Sequence, residues 1–216
     1  MPLDGAFIHC LKNELESAID THIDKIHMPS KNEFVFSLRG RGFSKKLFVS
    51  ITPNSPRVCF TSEVFENPSN PPMFCMLLRK HISSGRIIGV ESYGAERLIC
   101  FKISSSNEMG DKITYSLMLE FIGNKTNLLL IDENNRIIDA ARRSDLELSE
   151  RLIQPGALYT LPESNGKTDI LNGDISLAVD KVFANPTARL SDAILKSIGG
   201  LSPLLCREIA FRLMSL

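Results

Sequence analysis

The first apolar pattern along the chain has a helical period. In AFIHCLKNELESAID, Ile8, Leu11, Leu15, Ala18 and Ile19 recur at three- and four-residue spacing, which predicts one amphipathic helix. The period then shortens. HIDKIHM and EFVFSLR flank a PSKN turn, KKLFVSI follows GRGFS, and RVCFTS follows PNSP. Alternation, β-branched and aromatic residues, and Gly/Pro/Asn punctuation make these antiparallel strands. The strand pattern resumes with RIIGVES, ERLICFKIS, KITYSLMLEFI, NLLLID and RIIDAARR, separated by short polar turns.

Between the two runs of strands lies PPMFCMLLRKHISSGRI, residues 71 to 87. Asn70 can cap a helix here, Pro71 can occupy its first turn, and Gly85 can stop it. On a helical projection Met73, Phe74, Leu77, Leu78 and Ile82 form one face, with Arg79 and Lys80 opposite. His81 projects into the apolar face, as a core histidine or a functional one. Residues 1–165 therefore read as one α+β domain, an antiparallel sandwich-like sheet with two helices. Beyond the polar linker PESNGKTD the pattern is only helical: ISLAVDKVFA, ARLSDAILKSI and SPLLCREIAFRLM. Gly199-Gly200-Leu201-Ser202 separates the last two, so residues 166–216 predict a helical hairpin region. The last helix runs to the chain end, and a longer protein is expected.

Composition narrows the class. A chain of 216 residues with 43% hydrophobic and 23% charged residues suits a soluble globular protein. The cysteines at 10, 59, 75, 100 and 206 are odd in number and show no CxxC spacing, which predicts free thiols in a reducing cytoplasm. No signal peptide is visible, and no apolar run approaches the roughly 20 residues of a membrane span. The four histidines lie apart, so no metal site and no cofactor are expected. NGKT at 165–168 lacks the upstream glycine of a phosphate loop, and GRG at 40–42 lacks the third glycine of a dinucleotide loop. No nucleophile–base arrangement emerges either, so no catalytic residue is expected.

Charge is balanced at 25 bases and 25 acids, but it is not evenly spread. Phe34 to Ser62 carries Arg39, Arg41, Lys45, Lys46 and Arg57 and no acid; Asn67 to Val90 carries Arg79, Lys80 and Arg86 and no acid. Segregated bases attract polyanions even at zero net charge, while solvated hairpin ends would carry the same residues. A glycine turn between helices, which can offer backbone N–H groups to phosphates, tips the balance toward nucleic acid.

MPLDG, PPMFCMLLRKH with the following GRI, and GLSPLL resemble the NFACT family. These are RqcH-type ribosome quality-control factors, whose bacterial members also carry the name fibronectin-binding proteins. The resemblance covers essentially the whole chain. It implies an N-terminal NFACT domain similar in fold to the N-terminal domain of formamidopyrimidine-DNA glycosylases, then the start of a helix-hairpin-helix region. It implies binding to tRNA and to the large ribosomal subunit with its stalled peptidyl-tRNA, and recruitment of tRNA for template-free alanine tailing. Peptidyl transfer would belong to the ribosome, so this chain would not be an enzyme.

The family's acidic-arginine pair falls on Glu96-Arg97, where Asp-Arg is usual, and its Glu-led apolar triplet on Glu120-Phe121-Ile122, where Glu-Ile-Met is usual. Gly123-Asn124-Lys125 follows in place of a more basic Gly-Arg-His. Arg97 can grip phosphate, with Glu96 orienting it, or the two can form a plain surface ion pair. Phe121 can stack on an unpaired base or sit in the core. Two rivals remain: an extracellular adhesin for fibronectin or fibrinogen, which would need export, and a glycosylase-like DNA-binding module. The latter needs an acidic residue directly after its terminal proline, whereas Pro2 is followed by Leu3.

Overall fold

In the computed structural model, residues 3–53, 55–107, 109–144, 151–162 and 166–215 are described. Met1 and Pro2, on which the glycosylase reading turns, and residues 163–165, where the expected domain boundary falls, lie outside them. The chain folds as helix α1 (Gly5–Leu15), strands β1 (His22–Ser30), β2 (Glu33–Gly40), β3 (Phe43–Ser50) and β4 (Arg57–Thr61), then helix α2 (Met73–Ile82). Strands β5 (Arg86–Ser92), β6 (Leu98–Ser106), β7 (Lys112–Glu120), β8 (Asn127–Ile131) and β9 (Ile137–Ala140) follow. The last part contains β10 (Thr168–Asp169), α3 (Ile175–Phe183), α4 (Leu190–Ser197), β11 (Ile198–Gly199) and α5 (Pro203–Met214).

The expected strands all form, and they join into one antiparallel sheet in the order β4-β3-β2-β1-β5-β6-β7-β8-β9. The sheet is nearly split in two. β1 and β5 share a single register pair, His22 with Arg86, so β1 runs unpaired along most of that edge. Helix α2 covers the gap. Cys75 Sγ and Arg79 Nε both donate to the carbonyl of Ile26, at 3.8 and 2.8 Å. A buried edge carbonyl must find a donor, and α2 supplies it. One core cluster spans both halves, taking Phe34, Phe36 and Leu47 from one blade, Phe101, Leu117 and Leu130 from the other, and Ile8 and Leu78 from the helices. A second cluster on the reverse face of β6–β9 includes Leu98, Met118 and Tyr159.

The helix over 71–82 departs from its expected form. It starts at Met73 with Pro72 as N-cap and no side-chain cap, rather than at Pro71 with Asn70. A residue before proline is driven out of the helical region, so Pro71 cannot enter the first turn. Its buried residues are Phe74, Cys75, Leu78 and Ile82, while Met73 is 81% exposed. The projection is thus rotated toward Cys75 and Arg79, the side that meets β1. His81 sits half-buried at the margin, its Nδ1 3.2 Å from the Tyr115 hydroxyl.

The helical part docks on the sheet end through backbone. Gly5 N donates to Gly200 O at 2.7 Å, and Ala95 N donates to Asp169 Oδ1 at 3.1 Å. A Cβ on Gly5 would lie 1.8 Å from Ala95 O, and one on Gly200 would lie 2.4 Å from Ala95 Cβ. Only glycine permits this approach.

Candidate nucleic-acid interface

The β5–β6 turn, the end of β7 and the α4–α5 connection converge on a cleft of about 420 Å³. Glu96 and Arg97 line it from the turn, Ile122 from beyond β7, Lys167 and Asp169 from the linker and β10, and Gly199 to Pro203 from the far wall. Local structure explains the convergence. Leu98 pairs with Glu120 in the β6–β7 ladder, and Phe121 N donates to Arg97 O at 2.9 Å. The two motif segments are therefore neighbours across one ladder.

The charges of the cleft are mixed, but acids and bases are used differently. Asp4 caps α1 by accepting from Phe7 N at 2.9 Å. Asp169 accepts from Ala95 N and Leu171 N, at 3.1 and 2.8 Å. Backbone donors hold these carboxylates in place. Among the described residues, Arg97 and Lys167 make no side-chain hydrogen bond or ion pair, so their charges remain available. The Glu96 carboxyl is raised above its ordinary range by burial, against the pull of Arg97 and with a further push from Asp169. An unpaired guanidinium beside a half-buried carboxyl can take phosphate or a base edge bidentately.

Glu120 and Phe121 do not reach the cleft. Glu120 is 2% exposed and accepts from Arg151 Nη2 and Nη1 at 2.9 and 3.2 Å and from the Tyr159 hydroxyl at 2.9 Å. Burial opposes the charge of Arg151, but hydrogen bonding and attraction to Glu120 outweigh it, and the guanidinium stays above its ordinary range. Burial and the same carboxylate push the Tyr159 phenol up. Phe121 is 2% exposed inside the main core. The expected RNA contact by Glu120 and stacking by Phe121 meet buried placements: the two consecutive side chains lie on opposite faces, and each face is covered by its own core cluster. Ile122 lines the cleft, and Lys125 is exposed beyond it.

The eight bases expected as one RNA surface are dispersed. Arg39 and Lys46 stand on the outer face of β2 and β3, while Lys45, on the other face, rests over Phe43 and Phe60 at 5.2 and 5.0 Å. Arg41 is exposed in the turn and Arg57 at the opposite end of β3–β4. Arg79 is tied to Ile26 O, which removes it from the exposed helix face, and Lys80 is exposed. Arg86 pairs with Asp20 at 2.9 Å. Sequence reasoning passed over Lys167, which belongs to the dismissed NGKT stretch; its place beside the glycine turn is a tertiary fact with no local signal. Among the described residues no group of three or more His, Cys, Asp or Glu side chains could hold a metal ion, and no helix is long and apolar enough to cross a membrane.

Comparison with known proteins gives one consistent result. Residues 4–215 match the family described as NFACT N-terminal and middle domains. The chain is similar to the Rqc2 homolog RqcH of Bacillus subtilis, 37% identical over 215 residues, 98% of this chain and 38% of that protein. It thus spans well under half of that relative's length. The Rqc2 homolog RqcH of Streptococcus pneumoniae is 33% identical over 85% of this chain and 33% of its own. Among solved structures, the N-terminal domain of fibronectin-binding protein PavA from Streptococcus pneumoniae superposes with a TM-score of 0.89 at 27% identity, covering 99% of this chain and 80% of that one. The fibrinogen-binding protein from Staphylococcus aureus gives 0.82 at 28% identity over 97% and 74%. With nearly every residue matched, the chain belongs to the NFACT family and carries its N-terminal and middle-domain region.

Proposed function

We propose that this chain is the tRNA- and large-subunit-binding module of a cytoplasmic ribosome quality-control factor. It recruits tRNA to a large subunit carrying a stalled peptidyl-tRNA, for template-free alanine tailing of the nascent chain. The module is not itself an enzyme, because peptidyl transfer falls to the ribosome. One observation carries the reading: the cleft in which Arg97 and Lys167, with no side-chain hydrogen bond or ion pair among the described residues, stand beside Glu96 and the Gly199–Ser202 turn. A cleft of that composition holds RNA phosphate while leaving an acid to orient the guanidinium or accept from a base amino group. The similarity to Rqc2 homologs over almost the whole chain supports the ribosomal assignment.

Binding of labelled tRNA to the chain, followed across salt concentration, tests it. Affinity should fall steeply with salt through counterion release and exceed that for duplex DNA of equal length. A flat salt response or equal DNA affinity overturns the reading. The names of the solved relatives favour a second reading, an adhesin for fibronectin or fibrinogen. Cell fractionation separates the two, since the ribosomal role requires cosedimentation with large subunits and the adhesin requires surface display.

A further inference from the structure

The outer face of β1–β3 brings three cations together. The register places Lys25 beside Ser37 and Ser37 beside Lys46, with His22 beside Arg39 and Arg39 beside Ser44. Lys25, Arg39 and Lys46 are thus close neighbours on one face, and like charges so placed on adjacent strands repel. Some bases elsewhere are paired with carboxylates: Lys12 with Glu16, Arg86 with Asp20, Arg143 with Asp139, Arg151 with Glu120 and Arg212 with Glu208. Here they are not. The Lys46 ammonium donates to the carbonyl of Glu63 at 2.7 Å, which fixes it without cancelling its charge. Among the described residues, Lys25 and Arg39 make no side-chain hydrogen bond or ion pair.

A cleft of about 470 Å³ opens at the end of β2–β3 and takes Arg39 and Lys46 from this face and Lys45 and Phe60 from the other; among the described residues Asp24 is the acid in its lining. Ser37, Ser44, Thr61 and Ser62 supply hydroxyls. The charge is felt nearby: the His27 imidazole falls below its ordinary range through burial, then through Arg79, Lys25 and Lys46. The position is independent of the Glu96–Arg97 cleft. Arg39 aligns with His22 and His22 with Arg86 at the start of β5, whereas Glu96 follows the far end of that strand. Seven residues of strand separate the two ends, roughly 20 Å.

We propose that this cleft, together with Lys25 beside it across Ser37, is a second RNA site, which grips the ribose-phosphate backbone through Arg39 and Lys46 in the lining and Lys25 at its margin. Clustered cations without carboxylate partners suit phosphate, and the surrounding hydroxyls suit the 2′-OH that distinguishes RNA from DNA. With two sites about one strand length apart, the chain holds one RNA at Arg97 and a second RNA, or a second stretch of the first, on this face. The inference rests on the reading of the chain as an RNA-binding module.

The test uses the 216-residue chain, labelled oligouridine, its DNA counterpart oligothymidine, tRNA and extracted large-subunit rRNA. The double variant Lys25→Gln/Arg39→Gln should bind oligouridine at least tenfold more weakly, whereas Lys112→Gln, at the exposed start of β7 and in neither cleft, should leave that affinity within about twofold. The logarithmic salt slope of the double variant should shrink by roughly 1.4, two phosphate contacts at about 0.7 each on a single strand. Oligothymidine should bind more weakly than oligouridine. Ser44→Glu retains every base and sets an acid opposite Arg39, so it should weaken oligouridine similarly and serves if the double variant does not fold. Loss of rRNA binding in these variants assigns the site to the ribosome, and loss of tRNA binding assigns it to a second arm of the tRNA; either supports the proposal. Wild-type oligouridine affinity in folded variants, with tRNA still lost in Arg97→Ala, overturns this site and leaves the broader reading intact. Absence of RNA binding by the unmodified chain overturns both.

Discussion

Glu96-Arg97 and Glu120-Phe121-Ile122 are adjacent across the β6–β7 ladder, yet they have different environments. The first pair sits half-buried on a turn at the rim of a cleft, with Arg97 unpaired among the described residues. The second places a carboxylate and an aromatic ring in the interior, and only Ile122 at the rim. Adjacent motifs can therefore have different physical duties. The exposed pair can meet a ligand, while Glu120 holds the segment around Arg151 and Tyr159 against the strand that carries Ile122. A sequence motif records that residues matter to one site and does not record which of them touches the ligand.

The largest expected effect breaks the buried side of this comparison. Removing one partner from a buried ion pair leaves the other charge without compensation, so Glu120→Ala should destabilise the chain by about 3–5 kcal/mol. Phe121→Ala should cost a similar amount, about 3–5 kcal/mol, by opening a core cavity. Urea unfolding measures both. If Glu120→Ala instead leaves stability within about 1 kcal/mol and abolishes tRNA binding, the carboxylate faces ligand and the contrast collapses.

The junction that presents the exposed pair is the next target. Gly200 has φ of +81° and no room for a side chain beside Ala95. Gly200→Ala should cost about 1–3 kcal/mol from backbone strain alone, and it should shift the cleft wall opposite Glu96. Thermal melts give the first quantity and tRNA anisotropy the second. An unchanged affinity in a destabilised Gly200→Ala variant would separate the junction from binding.

These cases show why some of the molecule could be read from the chain and some could not. Strand and helix identity follow from local period, while the side-chain caps Asp4, Asp174 and Ser202 come from the structure. The side on which LMLEFI faces inward was ambiguous, because the stretch is apolar on both faces and each face meets its own core cluster. The tether from Arg79 to Ile26 depends on a break in the sheet between β1 and β5, and pairing partners distant in sequence leave no local trace. Lys167 reaches the cleft only because β10 pairs with β11.

On the exposed side, Arg97→Ala should leave the melting midpoint nearly unmoved, within about 1 kcal/mol of stability, because no described partner is lost. It should weaken tRNA binding ten- to a hundredfold, about 1–3 kcal/mol, the scale of one bidentate contact. Wild-type affinity in the folded variant would remove Arg97 from the interface. Phe121→Ala, compared after correction for the fraction folded, should retain its tRNA affinity, which sharpens the division between touching and supporting.

The smallest effect tests whether Glu96 and Arg97 act as an ion pair at all. Burial raises the Glu96 carboxyl, Arg97 opposes the shift and Asp169 adds to it, with a net rise. A carboxyl raised on folding binds more protons in the native state than in the unfolded one, so stability falls as pH rises through its range. The ionised carboxylate is then a net liability at neutral pH. Glu96→Gln should melt slightly higher than the unmodified chain at pH 7, and the difference should vanish as pH falls below the ordinary carboxyl range. A tight ion pair would depress the carboxyl, make its charge stabilising at neutral pH and reverse the sign. A lower melt for Glu96→Gln at pH 7 would therefore make Glu96-Arg97 a structural pair like Glu120 and Arg151, and dissolve the distinction between the two motifs.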